Sequence, residues 1–305
     1  MAAQVTTGLT QEMSTYYERV FLARAEYEYI HKEGGQMRSQ PKNEGKQVNF
    51  TRHTPLATAT TALTEGTNPA EVALTASTVS AALAEYGTTV KISRFLTLTS
   101  IDANNKEKIE VVGQNMGETL DELTRNELFT GAGAQLAGGK AALTDISASN
   151  VLSAAEIRKA VRTLKANKAR KYKGRGSYIG KVNPYTSYDL MGDTTWINSD
   201  TYDNGAEKTY NGELGMLYGV RFLETPNPKT EASTVTVYSN FVHGSDAFGC
   251  IDLEGDKPQL FIIPHTNIDS GNTAGRFSTV AWAASYVCKT LNANWIVNIK
   301  TGVTA

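Results

Sequence analysis

The chain has 305 residues, of which 40% are hydrophobic, 9% aromatic and 20% charged, a composition typical of a globular protein and not of a disordered or fibrous one. Its 30 basic and 31 acidic residues give a net charge of -1, which excludes a strong overall attraction to nucleic acid or to anionic membranes. Two cysteines exclude a disulfide framework and leave a single bridge open, and folding in a reducing cytoplasm is the expectation. No stretch is apolar over the roughly 18 residues that a membrane-spanning helix requires.

The first 100 residues predict a helix followed by an extended ribbon. Apolar residues recur at helical spacing between 11 and 32, and a pair of glycines ends the pattern. Val48 and Phe50 then alternate with polar residues as in a strand, and a segment rich in threonine and alanine leads to a second strand near Val90. We therefore expect residues 46–100 to form a long two-stranded excursion with a loop at its tip. Because an isolated two-stranded ribbon is only marginally stable in water, it requires a partner surface on its own domain or on a neighbouring chain.

The clearest helix is predicted over residues 105–130. Its apolar residues step by three or four positions, and about 25 residues at a rise of roughly 1.5 Å predict a rod of ~38 Å. Gly113 and Gly117 lie inside it at a cost of ~1 kcal/mol each relative to alanine, which favours a close backbone approach or a bend. Together with this rod, the N-terminal segment and the ribbon predict a body with appendages that lie across other copies of the chain.

The second half of the chain predicts one more helix and mostly short strands. Ser153 and Glu156 match a capping box, and the helix behind them is expected to run from 154 to about 169. The predicted strands cover residues 178–182, 220–223, 235–238, 250–253 and 260–263, with more strands within 279–299. Helices mixed with short strands, without an internal repeat, indicate an α+β fold.

A run of basic residues on and after that second helix is the strongest compositional signal. It contains no acid and consists of Arg158, Lys159, Arg162, Lys165, Lys168, Arg170, Lys171, Lys173 and Arg175. Such a run would bind phosphates in a salt-dependent and sequence-blind way. The alternative is a solvated helix face that pairs with acids of a neighbouring subunit. Since only Tyr172 accompanies the run, there is no row of aromatics for base stacking. An intersubunit role and a DNA-facing role therefore both stay open, chiefly for Arg158, Arg162, Lys165, Lys168 and Lys171.

The sequence contains no pattern that predicts a catalytic, cofactor or metal site. The four histidines and two cysteines have no ligand spacing, and Gly212, Gly215 and Gly219 do not follow the G-x-G-x-x-G order of a dinucleotide loop. One alternative is a carbohydrate-active enzyme, because a polar segment around Trp196 offers candidate paired carboxylates. These acids are Asp189, Asp193, Asp200 and Asp203. A second alternative is a nucleic-acid-binding module that uses the helix at 154–169.

Several stretches, taken in order, resemble the major capsid proteins of N4-type phages. In the first half they are GKQVNFTRHTPL, LTEGTNP and AEYG, and in the second half VNPYTSYDLMGDTTW, YNGELGMLYGVRFLET and the closing apolar strands. The resemblance covers roughly residues 15–300. It departs from the family pattern at Asn183, where a histidine is common before the proline. The family is similar to the HK97-like shell proteins of tailed phages.

The resemblance implies a division of the chain and a set of partners. Residues 1–45 would be the N-terminal arm, 46–100 the E-loop, 101–145 the P-domain with its spine helix, 146–270 the A-domain, and 271–305 the return to the P-domain. The protein would assemble with itself into hexamers and pentamers, with scaffold, portal and decoration proteins as further partners and weak contact to packaged double-stranded DNA. It would need no cofactor or membrane, would be assembled in the bacterial cytoplasm, and would reside in the virion capsid.

In this resemblance the glycine segment has a structural role. Gly212, Gly215 and Gly219 would form tight turns that lead into an A-domain strand, and Pro226 would end that strand.

Overall fold

The computed structural model describes residues 10–26, 30–54, 56–63, 65–69, 71–99, 105–172, 176–196, 214–253, 258–268 and 271–304. The helices are α1 Thr10–Glu26, α2 Arg94–Thr99, α3 Asn105–Gly131, α4 Ala154–Ala166 and α5 Pro184–Met191. The strands are β1 Gln36–Gln40, β2 Gln47–His53, β3 Ala76–Ala82, β4 Ala84–Ser93, β5 Gly133–Leu136, β6 Tyr178–Val182, β7 Met216–Leu217, β8 Val220–Glu224, β9 Lys229–Ala232, β10 Thr236–His243, β11 Phe248–Leu253, β12 Gln259–Ile263, β13 Phe277–Thr290 and β14 Ile296–Thr301. Short 3-10 turns lie at Ala137–Gly139, Leu143–Asp145 and Ala293–Trp295. Among the helices described, none combines the length and the apolar character needed to cross a membrane.

A five-stranded sheet packs against the long helix α3. Its central strand β13 pairs with β4 along one edge and with β12 and β11 along the other, and β1 joins β11 in parallel. The apolar stripe of α3, from Ile109 to Leu128, is buried against β13 side chains such as Trp282 and Tyr286. The predicted rod is therefore confirmed, and it forms one side of the main core.

Helix α1 also packs on α3, and Gly113 makes this possible. A Cβ atom at Gly113 would lie 2.7 Å from the backbone oxygen of Phe21, so a larger residue there would separate the two helices. Phe21 and Ala25 are fully buried in the contact. The described part of α1 and strand β1 therefore make contacts within their own chain, while Leu22 and Met37 stay 41% and 47% exposed. That the N-terminal segment lies across other copies stays a prediction.

A seven-stranded sheet organises the second half of the chain. Its strands follow the order β5, β14, β10, β6, β8 and β7, with β9 paired to β10 at one end. The apolar face of α4, including Ile157, Val161 and Leu164, packs on this sheet. The helix and the strands predicted for this half of the chain are present, although α4 ends at Ala166 and not at 169.

The sequence prediction missed several elements. Helix α5 begins with Pro184 directly after Asn183, whose side chain accepts a hydrogen bond from the backbone of Thr186 at 2.8 Å. Strand β1 lies where a polar linker was expected, and α2 follows β4 without any buried residue. All three are short, and β1 depends on a partner strand that is distant in sequence.

Candidate assembly surfaces

The most exposed part of the described chain is the connection between β2 and β3, residues 56–75, here named the hairpin loop. Each described residue in it is exposed. Four of these residues are aliphatic and keep more than half of their surface in solvent: Leu56 at 56%, Leu63 at 70%, Val72 at 68% and Leu74 at 61%. A concentration of exposed apolar side chains typically marks a surface that another molecule covers.

The base of the same ribbon is anchored on its own chain. Strands β2 and β3 pair in an antiparallel two-stranded sheet, from Gln47 opposite Ala82 to His53 opposite Ala76. Phe50 is only 4% exposed and packs with Ile251 of β11. The ribbon therefore finds its partner surface partly within the chain, at its base, while its loop finds none among the described residues.

Helix α2 presents a second exposed apolar surface. Its side chains Phe95, Leu96 and Leu98 are 75%, 55% and 70% exposed. Threonine hydroxyls on the helix bond back to backbone carbonyls one turn earlier, for example Thr99 to Phe95 at 2.8 Å. These polar groups are satisfied locally, and the apolar ones are left for a contact outside the described chain.

The basic run forms a continuous positive face on and beyond α4, here named the basic surface. Its described members are all exposed: Arg158, Lys159, Arg162, Lys165, Lys168, Arg170 and Lys171. Lys173 and Arg175 lie outside the described residues. Lys159 pairs with Glu156 at 2.7 Å, and within the described part of the chain no carboxylate pairs with Arg158, Arg162, Lys165 or Lys168. These side chains can therefore attract an anionic partner.

An aromatic side chain that sequence analysis did not connect with the basic surface lies beside it. The ring of Trp295 lies between Arg170, at 5.9 Å from the ring centroid, and Arg52 of β2, at 5.4 Å. Its indole N–H donates to the backbone oxygen of Asn167 at 3.1 Å. The ribbon base, the end of α4 and the start of β14 thus meet at one point, which extends the basic surface toward the ribbon.

A group of buried polar residues joins the N-terminal segment to both sheets. It comprises His31, Asp121 of α3, Tyr172, Lys181 of β6 and His243 of β10, and is named the junction cluster. Asp121 accepts hydrogen bonds from the backbone N–H and the ring Nδ1 of His31, each at 2.6 Å. The ammonium group of Lys181 donates to the backbone oxygen of His31. Sequence analysis missed this cluster because its members come from five separate segments.

Burial controls the protonation of the junction cluster. Desolvation lowers the pKa of His31, a shift that the hydrogen bond and charge of Asp121 partly oppose, while the positive charges of Lys181 and Arg125 add to it. Desolvation and the charge of Lys181 hold the pKa of His243 well below its usual value. Desolvation also lowers the pKa of Lys181 to about 8. Both imidazoles are therefore neutral in the folded protein near neutral pH.

These lowered values predict that the protein loses stability in mild acid. Above the ordinary histidine pKa of 6.5 the two rings contribute nothing to the pH dependence, since they are neutral in both states. Below 6.5 the unfolded chain binds protons that the folded chain resists, so stability falls with pH at up to ~1.4 kcal/mol per pH unit for each ring. Urea unfolding between pH 7.5 and 5.5 measures the slope.

Matched substitutions separate the buried rings from an exposed one. His243→Phe keeps the aromatic contact with Phe248 and is expected to make the slope shallower by ~1.4 kcal/mol per pH unit. His53→Gln, at an exposed position of β2, is expected to leave the slope unchanged. Equal slopes in all three proteins would contradict this account.

The acids near Trp196 have structural partners. Asp193 accepts hydrogen bonds from the backbone N–H of Ala154 at 2.9 Å and of Thr195 at 2.8 Å. Asp189 binds the hydroxyl of Thr304 at 2.6 Å. Asp200 and Asp203 lie outside the described residues. The carbohydrate-enzyme alternative therefore loses two of its four carboxylates to structural roles. Within the described ranges, no group of three or more His, Cys, Asp or Glu side chains is arranged to hold a metal ion.

The N-terminus of α4 is capped by Asp193 and not by the predicted capping box. The Ser153 side chain makes no capping hydrogen bond. Glu156 instead accepts from Gln135 at 2.8 Å and from the backbone N–H of Gly138 at 3.2 Å. The capping-box prediction is wrong because the backbone N–H of Glu156 donates to the backbone oxygen of Ser153, and the Glu156 carboxylate is bound by Gln135 and Gly138.

Removal of the Asp193 cap should destabilise the protein modestly. Partial burial opposes ionisation, but hydrogen bonds from the backbone of Ala154 and Thr195 outweigh it and lower the pKa of Asp193. Asp193→Ala is expected to lower the free energy of unfolding, measured in urea, by about 1 kcal/mol. Ser153→Ala removes no capping hydrogen bond and should lower it by less than roughly 0.5 kcal/mol. A larger loss of unfolding free energy in Ser153→Ala than in Asp193→Ala would show that Ser153, and not Asp193, caps α4.

The described members of the glycine segment lie at turns. Gly215, with φ of +86°, precedes β7, and Gly219, with φ of +78°, follows Tyr218 in the tight turn between β7 and β8. Pro226 is exposed just after β8 ends, and Gly212 lies outside the described residues. The backbone angles of Gly215 and Gly219 agree with the prediction that these residues form turns. The structural role of all four residues stays a prediction.

Comparison with known proteins gives the fold its context. A family model described as phage capsid protein matches residues 119–248. The chain is similar to the capsid of the cyanophage P-SCSP1u, with a TM-score of 0.68 and 15% identity over 90% of this chain and 88% of that one. The family model covers less than half of the chain, and the structural similarity shows that the chain has the fold of this capsid protein.

Other solved structures have the same fold. The chain is similar to the capsid of Ralstonia phage GP4, with a TM-score of 0.65 and 14% identity over 90% of this chain and 91% of that one. It is also similar to the head of Helicobacter pylori bacteriophage KHP40, with a TM-score of 0.67 and 13% identity over 88% of each chain. No curated protein matches the chain in sequence. The α+β, HK97-like prediction of the fold is confirmed.

Proposed function

We propose that this protein is the major capsid protein of an N4-type tailed phage with double-stranded DNA. It assembles through hexamers and pentamers into an icosahedral shell in the bacterial cytoplasm and encloses the genome in the virion. The observation that carries the proposal is the similarity to phage capsids over 90% of this chain, together with the family match. The order of the sequence motifs supports the N4 type.

The proposal assigns the segments as the resemblance implied. Residues 1–45 are the N-terminal arm, 46–100 the E-loop, 101–145 the P-domain with α3 as its spine, 146–270 the A-domain, and 271–305 the return to the P-domain. The ribbon of β2 and β3, the length of α3 and the pairing of β13 with β4 support this division. Scaffold, portal and decoration proteins are its further proposed partners.

The hairpin loop is the proposed contact with a neighbouring subunit. Burial of a large aliphatic side chain contributes about 1.5–3 kcal/mol before the cost of ordering the loop is subtracted. The net contribution of one loop is therefore small, and repetition of the contact around the shell makes the assembly stable. Weak, repeated contacts also allow one sequence to occupy slightly different environments.

Replacement of the four exposed aliphatics in the hairpin loop tests this proposal. The combined variant carries Leu56→Ser, Leu63→Ser, Val72→Ser and Leu74→Ser. It is expected to unfold like the wild type, because these side chains are exposed in the isolated chain. Its critical concentration for assembly, measured by light scattering and sedimentation, should rise at least about tenfold, or ~1.4 kcal/mol per subunit.

Threonines of the same loop provide the control. Thr58→Ser, Thr60→Ser and Thr61→Ser together change exposed polar positions without removing large apolar surface, and assembly should stay at the wild-type level. If the aliphatic variant assembles as readily as the wild type, the hairpin loop is not the neighbour contact.

The basic surface favours one further role, weak contact with packaged DNA, with an intersubunit role as the alternative. Arg158→Gln, Arg162→Gln and Lys165→Gln remove three unpaired cations of α4 without disturbing its buried face. Under the DNA role the salt slope of duplex binding should flatten by roughly 0.9 for each phosphate that the variant no longer neutralises. Under the intersubunit role, assembly is impaired instead and the salt slope is unchanged. Lys42→Gln with Lys46→Gln, exposed outside this surface, is the matched control.

A further inference from the structure

The two cysteines of the chain lie directly opposite each other at the centre of the five-stranded sheet. Cys250 of β11 pairs in register with Cys288 of β13, and their sulfur atoms are 3.6 Å apart. Both thiols are free and buried. Opposed residues on antiparallel strands have Cα separations of about 4.5–5.5 Å, which lie within the range that disulfides span. The two sulfurs can therefore bond after small side-chain rotations, without a change in strand register.

A cleft connects this pair to solvent. It has a volume of about 420 Å³ and is lined by Cys288 together with side chains of α3, β3 and β13. Cys288 is 7% exposed, whereas Cys250 lies beneath it with no exposed surface. A reagent the size of a few atoms that enters the cleft therefore meets Cys288 first, while a bulky reagent is held back.

We propose that Cys250 and Cys288 are an oxidisable dithiol, a modification site that a peroxide converts into an intrachain disulfide. One of the two sulfurs attacks one peroxide oxygen, so that an S–O bond forms, the O–O bond breaks, and the leaving hydroxide takes up the thiol proton as water. The other sulfur then attacks the sulfenic sulfur, so that the S–S bond forms and a second water leaves with the proton of the second thiol. Two thiols are oxidised by two electrons and one peroxide is reduced to two waters.

The surroundings favour the reaction. A hydrogen bond shared with Cys288 lowers the pKa of Cys250 against the effect of burial, and Tyr286 and the charge of Lys181 lower it further. These contacts help the pair to supply the thiolate that attacks an oxidant.

The bond would act as a covalent clamp on the sheet that supports the ribbon. Ile251, next to Cys250, packs on Phe50, and Val287, next to Cys288, lies in the same small core. The closed loop contains β12, whose pairing with β13 it would also secure. In a reducing compartment the dithiol persists, and in an oxidising one the clamp forms.

Peroxide treatment of the folded full-length protein tests the inference. Intact mass under denaturing, non-reducing conditions should show a loss of two hydrogens, with both thiols lost to a thiol reagent and both restored by reductant. The unfolding midpoint should rise by about 5 °C, as expected for a crosslink closing a loop of this length in a chain of this size. Glutathione disulfide, the bulky comparison, should react more slowly than peroxide.

Single-cysteine variants distinguish the clamp from nonspecific oxidation. Each single variant, Cys250→Ser or Cys288→Ser, should gain oxygen in peroxide and never lose two hydrogens, because its sulfenic acid has no partner. The inference is overturned if folded wild-type protein keeps both thiols under conditions that oxidise free cysteine. It is also overturned if the protein forms only oxygen adducts or bonds between chains, or if closure lowers the unfolding midpoint.

Discussion

Asp121→Ala is expected to lower the free energy of unfolding by about 3–5 kcal/mol. Asp121 is 1% exposed and accepts two hydrogen bonds from His31, so its removal leaves a buried backbone N–H and a buried ring nitrogen without an acceptor. It also removes the buried negative charge near Lys181. The N-terminal segment should therefore loosen from α3, which links a single side chain on the spine helix to the position of the arm.

Urea unfolding measures the effect, and an exposed residue one turn earlier on the same helix provides the control. Glu118 is exposed and accepts a hydrogen bond from Gln114 at 2.8 Å. Glu118→Ala also removes one carboxylate from α3 and should change stability by less than roughly 0.5 kcal/mol. Similar losses in the two variants would show that the junction cluster contributes no special stability.

Phe50→Ala is expected to destabilise the base of the ribbon by about 3–5 kcal/mol. The ring is almost fully buried against Ile251, and a Cβ atom on Gly249 would lie 2.8 Å from it, so the contact is too close for repacking to refill the space. Because Phe50 belongs to a small core separate from the two main ones, the loss should concentrate in β2 and β3. A loosened base raises the entropic cost of placing the hairpin loop, so assembly should weaken as well.

Hydrogen exchange of the β2 and β3 amides is the appropriate measurement. Protection there should fall about a hundredfold or more, the equivalent of ~3 kcal/mol, while α3 keeps its protection. Thr51→Ala, at the exposed neighbouring position, should leave exchange unchanged. Unaltered protection in Phe50→Ala would mean that the ribbon is not anchored through this ring.

The elements predicted correctly are those whose own sequence contains the signal. The apolar stripe of α3 repeats over about five turns, and α4 has one apolar and one basic face, so periodicity is sufficient to predict both helices. Strand β1 has no such stripe, since it is defined by parallel pairing with β11 more than 200 residues later. A strand of that kind becomes visible only once its partner is placed.

The buried polar residues show where sequence reasoning ends. Asp121 and Thr124 interrupt the apolar stripe of α3, and that interruption was the one available sign of the junction cluster. It could not identify His31 or Lys181 as partners, because burial and hydrogen bonding depend on the tertiary fold. The start of α5 was different, since Asn183 before Pro184 is a helix-start signal that the sequence did offer.

The N-terminal segment and the ribbon show which contacts the chain makes with itself and which apolar surfaces it leaves exposed. The alternation of Val48 and Phe50 predicted a strand that needs a partner surface, and the chain supplies one at the ribbon base. Gly113 predicted a close backbone approach on α3, but the sequence did not identify Phe21 as the residue that lies there. Exposed apolar groups of the hairpin loop and α2 stay without a partner surface among the described residues.

Electron microscopy of purified protein under assembly conditions, with scaffold supplied where required, tests the central claim most directly. The account predicts closed shells or capsomers in which the hairpin loop of each subunit lies on an adjacent subunit, with Leu63 buried there. It is contradicted by protein that stays monomeric under all such conditions, or by shells in which the hairpin loop contacts only its own chain.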